Sequence, residues 1–215
     1  MVWRKEELER VGELCIRYGV LILSDEIHAD LCLPGHIHYP IASLSKDIAD
    51  ITVTFIAPSK TFNVAGIQAS IILTQNKEIR TKISELQHQI GFHGLNLFAL
   101  EAIKASYRHG YEWLEELTAY LQGHVETVKA FIETELPHIK MYKPEASYLV
   151  WLDCSSLGLT DSELQKRLIE KGKIAISPGV MYGSGGEGFI RLNIGCTSDV
   201  LKEGLVRLKA ALSTE

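Results

Sequence analysis

Ile51-Thr52-Val53-Thr54-Phe55-Ile56, followed at once by Ala57-Pro58-Ser59-Lys60-Thr61-Phe62-Asn63-Val64-Ala65-Gly66, is the stretch on which the fold turns. Its first six residues are all β-branched or aromatic, and they predict a strand. Proline then ends the pairing, and a short Ser/Thr/Asn-rich loop carries one lysine. An amine held between apolar strands can be partly desolvated, which lowers its pKa and makes it nucleophilic toward a carbonyl. The competing reading is an exposed lysine in a polar loop, which lysine's general surface preference favours.

Working back toward the N-terminus, Leu8, Val11, Leu14, Cys15 and Tyr18 recur at helical spacing over residues 3–18, and Gly19 stands where a helix-ending glycine belongs. Val20-Leu21-Ile22-Leu23 follows, apolar on both faces, as in a strand buried between two layers. It runs into Ser24-Asp25-Glu26-Ile27-His28, which places acids at the carboxyl end of that strand. Ligand sites of open α/β sheets form at such ends, and a carboxylate there can pair with a protonated ring nitrogen. A turn or capping acid is the alternative. Residues 69–73 supply a third strand, so helix and strands together predict part of an α/β sheet.

Forward of the lysine, residues 77–135 are almost continuously helical in spacing, broken at residues 91–94 and at Gly110, with 111–135 as one long helix before Pro137. Beyond it, 148–152 and 189–194 read as strands, 161–170 and 198–212 as helices, with Ser198 as N-cap. These make a small α+β unit. Arg191 interrupts the apolar strand Phe189-Ile190-Arg191-Leu192-Asn193-Ile194; an inward arginine needs an anion, and its planar fork suits a carboxylate, a structural salt bridge being the alternative. The run Tyr182-Gly183-Ser184-Gly185-Gly186-Glu187-Gly188 lacks the strand–loop–helix setting of a phosphate loop and reads as a flexible loop near a site mouth.

The chain has 215 residues, a formal net charge of −5 and scattered lysine and arginine, which argues against nucleic acid as a partner. No apolar run approaches the roughly 20 residues of a membrane span, and the charged start MVWRKEELER is no secretory leader. Cys15, Cys32, Cys154 and Cys196 form no CxxC pair and read as reduced thiols, hence a cytoplasmic protein. His28, Asp30, Cys32, His36 and His38 look metal-like but match no compact zinc spacing, so no metal is expected. Tyr107, Tyr111, Trp113 and Tyr120 fall at helical spacings and read as packing residues.

Asp25-Glu26-Ile27-His28, Ala57-Pro58-Ser59-Lys60-Thr61-Phe62-Asn63 and the Arg191 strand resemble, in this order, three segments of the fold-type I pyridoxal 5′-phosphate (PLP) enzymes of the class I/II aminotransferase superfamily. The likeness runs through essentially the whole chain, residues 144–153 included, and is closer to the cystathionine β-lyase (C–S lyase) branch than to the aspartate or tyrosine aminotransferases. It implies the C-terminal part of the PLP-dependent transferase fold. Residues 1–110 would belong to the PLP-binding large domain, and residues 111–215 would form the connecting helix and the small α+β domain.

The resemblance also implies roles. Lys60 would hold PLP covalently and move the Cα proton; Asp25 would pair with the pyridine N–H; Arg191 would bind the substrate carboxylate; Ser59 would contact the phosphate. His28 would hydrogen-bond the cofactor's phenolic oxygen, where aminotransferases usually place tyrosine, and Gln68 stands where many carry a phosphate-binding arginine. Both departures favour the lyase branch. A homodimer acting on a sulfur-containing amino acid is implied, with an aminotransferase, or a truncated non-enzymatic interaction module, as the rivals. The family's phosphate loop and ring-stacking aromatic have no counterpart among the 24 residues before Asp25, so this chain alone is expected to be inactive or nearly so.

Overall fold

The computed structural model describes residues 1–213. The chain divides into two compact units, Met1–Glu116 and Leu117–Glu215.

The first unit begins with helix α1 (Lys5–Tyr18), opened by Arg4, whose backbone N–H is taken by Glu7, and closed by Gly19 in the left-handed region at φ 63°. Strand β1 (Ile22–Asp25), helix α2 (Lys46–Asp50), strand β2 (Thr52–Ile56), the short helix α3 (Pro58–Thr61) and strand β3 (Ile71–Leu73) follow. Their sheet has the order β1-β2-β3, with β1 parallel to β2 and β3 antiparallel. A parallel pair needs a crossover between its strands, and here residues 26–51, including α2, supply it. Ile22, Ile41 and Ile48 form a buried cluster on which Leu8, Val11 and Cys15 of α1 pack. Gly12 makes that approach possible, because a Cβ there would lie 2.7 Å from Ile48 Cγ1.

Two expectations are corrected here. The strand starts later than its apolar run, and Leu21 and Leu23 are 56% and 70% exposed instead of buried. Side chains alternate between the two faces of a strand: Ile22 points into the cluster under α1, whereas Leu21 and Leu23 lie on the opposite face, which stays exposed. The third strand is likewise confined to Ile71–Leu73.

Helices α4 (Lys77–Gln89) and α5 (Leu97–His109) are capped by Asn76 and Asn96. The long helix α6 (Tyr111–Glu135) has the predicted bounds and passes from the first unit into the second.

The second unit contains strands β4 (Lys140–Tyr142) and β5 (Leu149–Asp153), helix α7 (Asp161–Glu170), strands β6 (Ser177–Pro178) and β7 (Phe189–Asn193), and helix α8 (Ser198–Leu212). The sheet order is β4-β5-β7-β6, antiparallel throughout. Period-two alternation buries Val150, Leu152, Ile190 and Leu192 and leaves Trp151 and Arg191 on the opposite face. Leu121, Val125, Val128 and Ile132 give α6 its buried stripe at 3,4 spacing. His124, also buried, ties α6 to the end of β7, its Nδ1 lying 2.9 Å from the Ile194 carbonyl oxygen. The N-cap of α8 is Thr197 and not Ser198; the Ser198 N–H instead donates to the Tyr120 hydroxyl at 2.8 Å.

Candidate active site

Asp25 is the last residue of β1, in register with Phe55 of β2, and Lys60 lies just past the end of β2 in α3. The parallel pair therefore delivers a carboxylate and an amine at the carboxyl ends of neighbouring strands. Asp25 is exposed, and its Oδ1 accepts the Ile27 N–H at 3.2 Å in a local turn. Among the described residues no further hydrogen bond reaches Asp25 and none reaches Lys60, whose amine is exposed.

The lysine turn is built firmly. Pro58 occupies the first turn of α3, where its missing N–H and fixed φ fit. Phe62 N–H donates to the Pro58 carbonyl at 2.8 Å and Val64 N–H to the Ser59 carbonyl at 3.1 Å. Asn63 then turns the chain through the left-handed region at φ 54°. Thr61, fully buried, donates its hydroxyl to Asp30 Oδ2 at 3.0 Å. Phe62 meets Tyr107 edge-on and tilts over Trp113, each at 5.8 Å between ring centroids. Two of the expected packing aromatics thus hold the turn that carries Lys60.

His28 is half-buried at the start of a short 3-10 turn after β1. Its neighbour Glu26 is the more constrained acid, at 7% exposure. Glu26 Oε1 accepts the Ser24 hydroxyl at 2.9 Å, and its Oε2 lies 2.9 Å from His38 Nε2. Burial acts to raise the Glu26 carboxyl, but the hydrogen bonds from His38 and Ser24 outweigh it and hold the group below the usual carboxylate range. This pair went unrecognised in the sequence because twelve residues separate its members; the alternation Ser24/Glu26 along a strand was the available signal. Among the described residues no group of three or more His, Cys, Asp or Glu side chains comes together as a metal site. Glu26, Asp30, Cys32 and His38 line a 790 Å³ cleft with Thr52 and Thr54, and neither Asp25 nor Lys60 borders it.

In the second unit, Arg191 on β7 pairs in register with Trp151 of β5 and Ser177 of β6. Its Nε is buried without a hydrogen-bond partner, and its guanidinium carbon lies 4.5 Å from the centroid of the Tyr182 ring. Burial raises the nearby Tyr148 phenol, and the Arg191 charge works against that rise. The glycine-rich run is more tightly built than a flexible loop. Gly186 N–H donates to the Gly183 carbonyl at 3.2 Å, Gly185 N–H donates to Glu187 at 2.8 Å, and a Cβ at Gly186 would strike the Gly179 backbone.

The first unit thus carries an exposed aspartate and lysine at the carboxyl ends of parallel strands, and the second, described by itself, carries an arginine whose Nε lacks a hydrogen-bond partner. The chain belongs to the family "Aminotransferase class I and II", whose profile matches residues 1–208. More particularly, it is 54% identical to cystathionine beta-lyase PatB of Bacillus subtilis (strain 168), over 98% of this chain and 54% of that protein. Among solved structures, it is similar to a PLP-bound protein of Clostridium difficile 630 assigned as an aminotransferase (40% identity, TM-score 0.98, 99% of this chain and 55% of that one). It is also similar to cystalysin from Treponema denticola, which contains a pyridoxal 5′-phosphate cofactor (34% identity, TM-score 0.95, 98% and 54%). The chain spans about half the length of the curated relatives it matches.

Proposed function

We propose that this chain contributes the cofactor lysine and the substrate-carboxylate arginine to a PLP-dependent C–S β-lyase acting on a sulfur-containing amino acid of the cystathionine or cysteine type. The observation that carries the reading is the placement of Asp25 and Lys60 at the carboxyl ends of adjacent parallel strands; among the described residues Asp25 accepts only the Ile27 N–H and Lys60 has no hydrogen-bond partner. The likeness to a cystathionine β-lyase supports the choice of lyase. No helix among the described residues is long and apolar enough to cross a membrane, and a cytoplasmic homodimer is the form that fits the reading.

The donor set suits PLP. Lys60, a primary amine without a hydrogen-bond partner among the described residues, would hold the cofactor covalently, and Asp25, with one oxygen uncommitted, would pair with its protonated ring nitrogen. PLP, when bound, supplies a cationic ring that takes up the electron pair left at the substrate's Cα. Asp25 keeps that ring protonated, since a neighbouring opposite charge favours the charged form. Lys60 takes the Cα proton. His28 and Ser59 are assigned to the phenolic oxygen and the phosphate, and Arg191 to the substrate's α-carboxylate. The net change breaks the Cβ–S bond, so that cystathionine and water give homocysteine, pyruvate and ammonia. The family name and the Clostridium relative keep aminotransfer as the second reading. Pyruvate release without an added keto acid separates the two.

The decisive test is an absorbance spectrum of the chain with PLP, then borohydride trapping and peptide mapping, with Lys60→Ala alongside. A band near ~420 nm, lost on reduction, and a pyridoxyl adduct on the Lys60 peptide are expected from an amine–aldehyde condensation. Adduct spread over other lysines, or unchanged in Lys60→Ala, overturns the assignment.

A further inference from the structure

The second unit's sheet carries a row of side chains straight across all four strands. Tyr142 pairs with Trp151, Trp151 with Arg191, and Arg191 with Ser177. One face therefore presents a cation set among aromatic residues; the acid on that face, Asp153, is paired across from Phe189 and takes the Ser155 hydroxyl. Among the described residues Arg191 has no salt-bridge partner, and none of its N–H groups has a hydrogen-bond partner. An arginine half-removed from water without an anion or an acceptor is costly, because each buried unmade donor retains its desolvation penalty. What the structure supplies in place of an anion is the Tyr182 ring, 4.5 Å from the guanidinium carbon.

Tyr182 is itself held from two sides. Trp151 meets its ring edge-on at 5.4 Å and 81°, and Trp151 in turn stands edge-on to Phe189 at 6.0 Å. Behind it, Gly183 at φ 113° turns the backbone where an L side chain would be strained, and the Gly179–Gly186 contact closes the loop at its base. The glycine-rich run, read from sequence as a flexible loop near a site mouth, is what brings this ring over the arginine.

We infer that Tyr182 is the positioning residue of the carboxylate clamp: its ring, braced by Trp151, holds the Arg191 guanidinium in place by a cation–π contact while leaving its N–H groups uncommitted for a substrate carboxylate. The inference rests on the reading of Arg191 as the carboxylate anchor and adds how that anchor is kept ready. A structural aspartate would hold the same side chain, but it would occupy the N–H fork and have to be displaced by each incoming carboxylate. An aromatic face attracts the charge without competing for those donors.

The test uses the 215-residue chain with sodium acetate as the probe. Arginine Nε–Hε signals are followed by 15N NMR in the wild type, Tyr182→Phe and Tyr182→Leu, and Arg191→Lys identifies the Arg191 signal. Tyr182 is 46% exposed, so both substitutions are compatible with folding, which thermal unfolding monitors. The expected result is an Arg191 Hε signal displaced by ring current in the wild type, retained in Tyr182→Phe and lost in Tyr182→Leu. Acetate binding should be unchanged in Tyr182→Phe and about three- to fivefold weaker in Tyr182→Leu, the size of a partly exposed cation–π contact. Absence of the ring-current displacement in the wild type overturns the inference, as does equal acetate affinity in Tyr182→Leu while Arg191→Lys loses binding. If Arg191→Lys binds acetate as well as the wild type, or the wild type does not bind it, the anchor reading fails and takes the inference with it.

Discussion

Thr61 donates its hydroxyl to Asp30 Oδ2 at 3.0 Å, joining the residue beside Lys60 to the turn that follows Asp25 and His28. Thr61 is fully buried, so its hydroxyl has no water to fall back on. Thr61→Val keeps the shape and removes the donor. It should cost about 1–2 kcal/mol, the range for a hydrogen bond to a charged acceptor that can recover some hydration. Urea unfolding of Thr61→Val, Asp30→Ala and the double variant gives the coupling directly. Additive losses would show that the bond does not tie the two segments together.

Gly110 separates α5 from α6 at an ordinary φ of −87°, so backbone freedom is not why glycine stands there. A Cβ would strike the Phe62 ring, with Phe62 Cδ1 at 2.9 Å, and the Ser106 carbonyl oxygen. Gly110→Ala must therefore push Phe62 off its contacts with Tyr107 and Trp113. The expected cost is about 1–3 kcal/mol, as for other overpacked sites, where an exposed helix-end alanine would otherwise stabilise. A melting temperature at or above that of the wild type would rule out the clash.

Sequence reading reached the parts of the fold that local physics dictates. The helix over 111–135, the glycine stop at Gly19 and the strand leading to Lys60 follow from periodicity, left-handed φ and β-branching, and the structure has all three. It failed where the outcome depends on what lies across space. The exposure of Leu23 follows from which face of β1 is covered, since α1 packs on the Ile22 side and leaves the Leu23 side open, a property that its own residues do not carry. The Tyr120 cap on Ser198 spans 78 residues, and no local pattern announces it. The same contrast holds at the site. Asp25, Lys60 and Arg191 stand out in the sequence as residue types at or beside strands, and their roles remain a proposal, whereas Glu26–His38, Thr61–Asp30 and Tyr182–Arg191 are pairings that only folding creates.

Cys154 follows β5, is 2% exposed, and has its thiol pushed up to about 12 by burial and then by the Asp153 charge. Since the thiolate is the reactive form, its population at pH 8 is lower by roughly three orders of magnitude than that of an ordinary cysteine. Iodoacetamide labelling at pH 8, read by peptide mass, should leave Cys154 unmodified in the native chain and modify it readily in urea. Native labelling of Cys154 as fast as that of the half-buried Cys15 would contradict its described environment.

Glu26 offers the sharpest pH test, because its side chain is 5% exposed and is held by Ser24 and His38. Exposed pairs such as Lys82–Glu78 contribute little by comparison. Burial opposes ionisation of Glu26, yet the hydrogen bonds prevail and its folded pKa lies below the ordinary value. The unfolded chain therefore binds the proton first as pH falls, so stability rises with pH across that interval. The contribution is complete above the ordinary carboxylate range and disappears as pH drops through the depressed folded value. Glu26→Gln should cost about 1–3 kcal/mol at pH 7, the range for a buried charge-assisted hydrogen bond. The gap to the wild type should then close as pH falls through the depressed folded value, where the wild-type carboxylate also becomes neutral. Urea unfolding of both proteins from pH 7 to 3 measures it. A gap that stays constant over that range would mean that packing, and not the ionised carboxylate, is what Glu26 contributes.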